Sequence, residues 1–153
     1  MHCLARITVT LLTVSLCSAF AADPFVGTWI PKGAEWKSSP GAPERRKSES
    51  ITIETTGKKA YRFTTTSLDG KATAQERLVD GTEHKELADG LTFTYRMERL
   101  DERHLKQSGV HSKGSAVFDY VVSPDGNKLT LTRKGIGINS GRKLDDIYVY
   151  VKK

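Results

Sequence analysis

The sequence predicts an all-β protein: one antiparallel up-and-down β-barrel of about eight to ten strands that follows a cleaved signal peptide. Three observations carry this prediction. Turn residues recur every nine to thirteen positions, apolar and polar side chains alternate between them, and the first 21 residues have the layout of an export signal. The chain is therefore expected to divide into a signal peptide, residues 1–21, and one barrel domain, residues 22–153.

The predicted export signal has three parts. Arg6 gives a positive start, residues 7–16 form an uncharged and largely apolar run, and residues 19–21 (Ala-Phe-Ala) supply a small-x-small cleavage pattern. We expect cleavage after Ala21, with cleavage after Ala19 as the alternative. The apolar run is shorter than the roughly 20 residues that a bilayer span needs. The signal thus predicts an exported protein, either periplasmic or secreted.

Composition favours a single globular domain without thiol chemistry. Both cysteines, Cys3 and Cys17, lie in the predicted signal, so the mature domain has no disulfide. The chain has 24 basic and 18 acidic side chains, and loss of Arg6 would leave a positive surplus of five. The longest basic run, residues 45–47, lies beside prolines, which is typical of a solvated loop. The alternative is weak contact with anionic lipid or polysaccharide. No nucleic acid partner is expected, because no reading motif is recognised.

Turn signals divide the mature chain into hairpins. Asp-Gly pairs favour tight hairpins because glycine accepts positive φ and aspartate bonds to nearby backbone. Short connections make consecutive strands sheet neighbours, and closure of such a meander into a barrel removes its exposed edges. A sandwich of two sheets is the alternative. The Asp-Gly pairs are Asp69-Gly70, Asp80-Gly81, Asp89-Gly90 and Asp125-Gly126.

Between the turns, side chains alternate with a period of two, which is typical of antiparallel strands with one buried face. Residues 82–86 are polar on both faces, so the barrel is expected to be wet or open there. Two longer loops, residues 31–47 and 135–141, are expected at the barrel mouth. The apolar stripes are Ile51 and Ile53; Leu91, Phe93, Tyr95 and Met97; Ala116, Phe118, Tyr120 and Val122; Leu129 and Leu131; and Ile147, Val149 and Val151.

The start of the mature chain resembles the opening strand of the lipocalin and calycin superfamily. Residues 23–29 read Asp-Pro-Phe-Val-Gly-Thr-Trp and contain the Gly-x-Trp element that begins the barrel there. With residues 40–43, 122–130 and 149–150, the mature chain is similar to small exported lipocalin-like (calycin-type) bacterial proteins of unassigned function. The resemblance implies that Gly27 and Trp29 close the barrel and that a late arginine, Arg133 or Arg142, lies over the tryptophan.

The barrel interior is the candidate ligand site. An eight-stranded barrel is just wide enough to be filled by side chains or to hold one small ligand, so inward aromatic side chains either pack as a core or line a pocket. The small residues Ala72, Ala74 and Ala116 favour some free volume. The candidate ligand-contacting residues are Tyr61, Phe63, Phe93, Tyr95, Phe118 and Tyr120.

The sequence indicates no catalytic group, cofactor or metal. The histidines of the predicted mature chain, His84, His104 and His111, lie on at least two predicted strands without a local pairing motif. No strained nucleophile turn marks a hydrolase. The glycines at 135, 137 and 141 precede a strand rather than the helix that a phosphate-binding loop needs.

The sequence therefore predicts a non-enzymatic, extracytoplasmic binding module of lipocalin-like type whose ligand is small and amphipathic or hydrophobic. The alternative is a structural or interaction protein with a packed core, which contacts anionic envelope components through its basic outer face or residues 31–47. Free volume inside the barrel distinguishes the two hypotheses. The sequence does not indicate the oligomeric state.

Overall fold

The structure, a computed structural model, describes residues 22–40, 49–88, 91–137 and 141–153. The predicted signal peptide, the basic run at 45–47 and the Asp89-Gly90 pair lie outside the described residues, so the expectations placed on them stay predictions. None of the helices in the described ranges is long and apolar enough to cross a bilayer.

The described residues form ten strands in one antiparallel sheet, which confirms the all-β fold. Along the sheet the order is β4-β3-β2-β1-β10-β9-β8-β7-β6-β5, so the first and last strands lie side by side at its centre. A 3-10 turn, Gly33–Glu35, follows the first strand. The strands are β1 (Gly27–Pro31), β2 (Ser50–Gly57), β3 (Ala60–Thr66), β4 (Ala72–Leu78), β5 (Glu83–Ala88), β6 (Leu91–Asp101), β7 (His104–His111), β8 (Gly114–Val122), β9 (Lys128–Ile136) and β10 (Lys143–Lys152).

The sheet curls until β4 and β5 face each other, and we call the space between these two strands the seam. No backbone ladder joins β4 to β5, although they follow each other in the chain. Their connection bonds to other hairpins instead. The Val79 N–H donates to the Lys59 carbonyl at 2.7 Å, and the Gly81 N–H donates to the Met97 carbonyl at 2.9 Å. The meander is therefore a barrel in which no backbone ladder joins the two edge strands.

Side chains bridge the seam. The Arg77 guanidinium on β4 donates to the Glu86 carboxylate on β5 at 2.6 Å. The Leu78 N–H points to the hydroxyl of Tyr95 on β6, 3.4 Å away. Residues 82–86, the segment predicted to leave the barrel wet or open, thus belong to the connection and strand that form one side of the seam.

Two Asp-Gly hairpins share one arrangement. Asp69 and Asp125 each accept a hydrogen bond from the serine hydroxyl two residues earlier and from the backbone N–H two residues later. The following glycines, Gly70 and Gly126, lie at φ +79° and +74°. The hydroxyl and N–H bonds favour the ionised carboxylates and lower the pKa of both aspartates. The turn chemistry predicted from sequence is therefore present at these two hairpins.

The barrel has two unlike ends. The Trp29 end carries the β2–β3, β4–β5, β6–β7 and β8–β9 connections, and the Phe93 end carries the others. The dry part of the core lies toward the Trp29 end, and burial of each large apolar side chain there contributes about 1.5–3 kcal/mol. Its most deeply buried apolar side chains are Phe25, Trp29, Ile53, Met97, Leu105, Val122 and Leu129.

Trp29 lies fully buried at this end, and the cation over its ring is Lys152, whose Nζ is 5.0 Å from the ring centroid. The prediction of Arg133 or Arg142 for this position was wrong. The register of β1 against β10 is the reason, because it places Lys152 directly opposite Trp29. Gly27, at φ +139°, lies against the same lysine, and a Cβ there would be 2.8 Å from its Cε.

Candidate ligand-binding site

All six predicted aromatic residues lie on the inward face of their strands. Tyr61 and Tyr95 are buried at 5% and 4% exposure. Phe63, Phe93, Phe118 and Tyr120 are half-buried and pack against the core. Their contact with a ligand stays a prediction.

A contact between Phe63 and Tyr120 crosses the barrel. Their ring centroids are 5.5 Å apart, although β3 and β8 are separated by four other strands in the sheet. Side chains therefore fill the barrel at this level. We call the interior between this contact and the Phe93 end the upper lumen; it is lined by Phe93, Gln107, Ala116, Phe118, Arg133 and Asp146.

The upper-lumen rings of Phe93 and Phe118 keep part of their surface exposed. Phe93 shares its face with the buried Tyr95 and Met97, and Phe118 shares its face with the buried Ala116. Inward-facing rings keep exposed surface only where the space they face is reached by solvent. The ring of Phe93 lies close over the β7 backbone, where a Cβ on Gly109 would be 2.5 Å from its Cζ.

Trp36 adds an aromatic wall that sequence reasoning missed. The chain after β1 continues along β10, and Lys37 and Ile147 exchange backbone hydrogen bonds of 2.9 and 2.7 Å. This path turns Trp36 inward, where its Nε1 donates to the Val149 carbonyl at 2.7 Å. Its ring meets Tyr148 edge-on, with centroids 4.9 Å apart. The prolines of this segment suggested a loop, and no local pattern signals its pairing with β10.

Arg133 and Asp146 form a buried ion pair in the upper lumen. Oδ2 of Asp146 accepts from Nε of Arg133 at 2.8 Å and from Nη2 at 2.5 Å. Oδ1 accepts from the Ser39 N–H at 2.6 Å. Nη2 of Arg133 also reaches the hydroxyl of Tyr148 at 3.2 Å. The Asp146 residue is 1% exposed, so the pair is shielded from water on most sides.

Two opposing effects act on the pKa of Asp146. Burial is the largest single effect and raises the pKa by disfavouring the charged form. The hydrogen bonds from Ser39 and the charge and hydrogen bonds of Arg133 together outweigh burial and lower the pKa below its ordinary value. The carboxylate is therefore ionised at neutral pH and holds Arg133 as its partner.

Tyr61 belongs to a separate cluster at the Trp29 end. Its hydroxyl bonds to Asp23 and to Arg99, and Arg99 donates to Asp23 at 2.7 Å. Burial, followed by the hydrogen bond and negative charge of Asp23, raises the pKa of Tyr61 to about 12. A crevice of about 420 Å³ opens beside these residues, between Lys59 and Glu102. The six predicted residues thus divide between two regions of the barrel.

The histidines do not converge. His84 bonds to Asp80 at 2.9 Å, and this hydrogen bond is the main reason why the pKa of Asp80 is lowered. His104 bonds to Asp119 at 2.9 Å on the outer face of the sheet. His111 lies buried at the far end of the same strand as His104. Within the part of the chain that the structure describes, no three potential metal ligands come together.

The curled ten-stranded sheet has the fold of the calycin-type fatty-acid-binding proteins. Fatty-acid-binding protein 1 of Echinococcus granulosus matches with a TM-score of 0.60 and 18% identity, covering 84% of this chain and 97% of that one. The Schistosoma mansoni fatty acid binding protein, solved with arachidonic acid, matches with a TM-score of 0.61 and 18% identity over 85% and 96% of the two chains. Secretory abundant heat soluble protein 4 of Ramazzottius varieornatus matches with a TM-score of 0.59 and 16% identity over 89% and 99%.

These similarities cover 84–89% of this chain and concern the fold alone. No protein-family model matches the sequence. No curated protein matches it by sequence either.

Proposed function

We propose that this protein is a non-enzymatic, extracytoplasmic binding module whose upper lumen holds one small amphipathic molecule. The observation that carries the proposal is the inward orientation and half-burial of Phe93 and Phe118. Their rings offer an apolar surface, and the side chain of Gln107 offers polar atoms beside them. A site with apolar walls and a few polar groups is typical of small-molecule pockets.

Two further observations support the proposal. Structural neighbours include proteins named for fatty acid binding, which favours an apolar ligand in the same kind of barrel. The signal-like residues 1–21 favour export, as does the resemblance to exported lipocalin-like bacterial proteins.

Binding of a neutral lipophilic dye, Nile red, and its displacement by 1-dodecanol test the proposal. We expect saturable dye fluorescence with the purified protein and competition by the alcohol. Ala116→Phe places a ring in the upper lumen and should reduce dye affinity at least about tenfold. Val117→Phe, one residue along on the outer face, is the matched control and should leave affinity unchanged. Equal affinity in both variants, or no saturable binding by the folded protein, would refute the proposal.

Contact with an anionic lipid surface is the second candidate function, and one observation favours it. Leu68 and Leu87 are 84% and 77% exposed at the Phe93 end, and Val110 is 57% exposed there. Exposed Lys71 and Lys113 lie in the turns of the same end. Apolar tips flanked by lysines fit a surface of anionic lipid, in which each basic side chain contributes about 1 kcal/mol.

Vesicle sedimentation tests this second function. We expect binding to phosphatidylserine vesicles that weakens with salt, and much weaker binding to phosphatidylcholine vesicles. Leu68→Ser with Leu87→Ser should reduce binding, whereas the same change at Ile30, exposed on the barrel wall, serves as the control. Binding to neither vesicle type would exclude this function and leave the first one standing.

A further inference from the structure

In the part of the chain that the structure describes, the arginines that face the barrel interior each have a carboxylate partner. Arg133 donates to Asp146 at 2.5 Å in the upper lumen. The other two pairs are Arg77 with Glu86, 2.6 Å apart at the seam, and Arg99 with Asp23, 2.7 Å apart at the Trp29 end. Among the described residues, the inward-facing lysine Lys152 lies outside these pairs; its Nζ lies over Trp29 and donates to the Pro24 carbonyl at the Trp29 end.

The pair in the upper lumen is the one that a ligand head group would meet. The side chains of Arg133 and Asp146 are 11% and 0% exposed, and both carboxylate oxygens already accept hydrogen bonds. An anionic head group that approached Arg133 would bring a second negative charge beside Asp146. Two carboxylates that share one buried guanidinium repel each other, and one of them would have to lose its charge. A cationic head group would bring a second positive charge beside the guanidinium of Arg133 and would be repelled by it.

One buried donor at the seam remains for a neutral acceptor. Nε of Arg77 is buried and has no hydrogen-bond partner among the described residues. The guanidinium of Arg77 lies 4.5 Å from the ring centroid of Tyr95, which is on the inward face of β6. A hydroxyl, ester or amide oxygen would satisfy this donor without adding charge.

We propose that the ligand of the upper lumen is an uncharged amphiphile, such as a long-chain alcohol, ester or amide, rather than a fatty acid. This inference rests on the proposed binding function and narrows it to one class of ligand. Asp146 is the positioning residue for this selectivity, because it cancels the charge that would otherwise attract a carboxylate.

A matched series with one alkyl chain and three head groups tests the inference. Lauric acid, 1-dodecanol and dodecylamine are compared in the Nile red displacement assay, well above the ordinary pKa of a carboxyl. We expect the alcohol to bind at least about tenfold more tightly than the acid or the amine. If the acid binds as tightly as the alcohol, the inference is overturned while the binding function stands. If the folded protein binds none of the three compounds and no dye, both the inference and the proposed binding function are refuted.

Two variants test the role of the ion pair. Asp146→Asn should release Arg133 and raise the affinity for lauric acid relative to dodecanol at least about tenfold. Asp145→Asn, the exposed neighbour on the opposite face of β10, is the control and should leave that ratio unchanged. Arg133→Gln should act in the opposite direction: it should weaken the binding of lauric acid further and strengthen the binding of dodecylamine. This variant also tests the inference if Asp146→Asn does not fold. A ratio that neither variant changes would overturn the inference.

Discussion

The carboxylate of Asp146 binds the guanidinium of Arg133 through two hydrogen bonds, 2.8 Å from Nε and 2.5 Å from Nη2. Both residues lie on inward positions of neighbouring strands and face each other directly across the β9–β10 ladder. The pair keeps the upper lumen polar but without net charge.

Breaking this ion pair should destabilise the fold strongly. Asp146→Asn leaves a buried guanidinium without a counter-charge, which costs about 3–5 kcal/mol. Replacing both partners, Arg133→Met with Asp146→Leu, should recover most of that loss because no buried charge remains. The free energy of unfolding in urea, followed by tryptophan fluorescence, measures both effects.

The exposed Asp145 supplies the control for this prediction. Asp145 pairs with Lys37 at 3.4 Å on the surface, with side chains 53% and 67% exposed. Asp145→Asn should change the unfolding free energy by no more than about 0.5 kcal/mol. A loss for Asp146→Asn that is no larger than this control would contradict the role given to the pair.

Tyr61 should make stability fall in alkali. Its folded pKa of about 12 lies above the ordinary value of 10.0, so the folded state favours the protonated phenol. This contribution is fully present below the unfolded pKa and is lost as pH rises from about 10 to about 12. Spectrophotometric titration should show a late phenolate contribution that is absent from Tyr61→Phe. Asp23→Asn should move that titration to lower pH, whereas an unmoved titration would show that Asp23 does not act on the phenol.

Local patterns predicted most of the fold, because each hairpin depends on residues near in sequence. The position of the seam could not be predicted in this way. The Asp80-Gly81 connection resembles the other turns, yet its Gly81 N–H bonds to Met97 rather than within its own hairpin. Long-range pairing decides this choice, and local turn chemistry does not encode it. The same limit explains why Lys152, and not an arginine, lies over Trp29.

The candidate site was predicted in its aromatic part and missed in its ionic part. Period-two alternation placed Phe93 and Phe118 on the inward face. Applied to β9 and β10, the same alternation groups Arg133 with Leu131 and Asp146 with Tyr148. The sequence pattern instead indicated Ile147, Val149 and Val151 as the apolar stripe of β10, which would place Asp146 on the outer face. That assignment was wrong, because Tyr148 and Tyr150 face the core and Asp146 shares their face. Which other residues would contact it, such as Ser39, depends on the path of the chain after β1.

We expect position 109 to require glycine because the ring of Phe93 leaves no room there for a Cβ. A Cβ at this position would lie 2.5 Å from Cζ and 2.7 Å from Cε2 of Phe93, so the ring would have to move into the upper lumen. We expect Gly109→Ala to cost about 1–3 kcal/mol in unfolding free energy and to weaken dye binding. Gly57→Ala, whose added Cβ meets nothing within 4 Å, is the control. The double variant Gly109→Ala with Phe93→Ala should lack the steric part of the cost, and strict additivity of the two changes would rule out the clash.

The Arg77–Glu86 pair should hold the seam closed. Backbone hydrogen bonds do not join β4 to β5, so loss of this contact removes a bridge that the ladder cannot replace. The Arg77 side chain is only 6% exposed, so Glu86→Ala leaves a buried guanidinium without a counter-charge and should lower the unfolding free energy by about 3 kcal/mol. A local effect should accompany this loss: amides of β4 that face the seam should exchange hydrogen faster, and bound dye should dissociate faster. Glu76 lies on the outer face of β4 and pairs with Arg62 of β3. Glu76→Ala breaks this pair and should change neither rate. Equal acceleration in the two variants would show that the seam does not depend on Arg77.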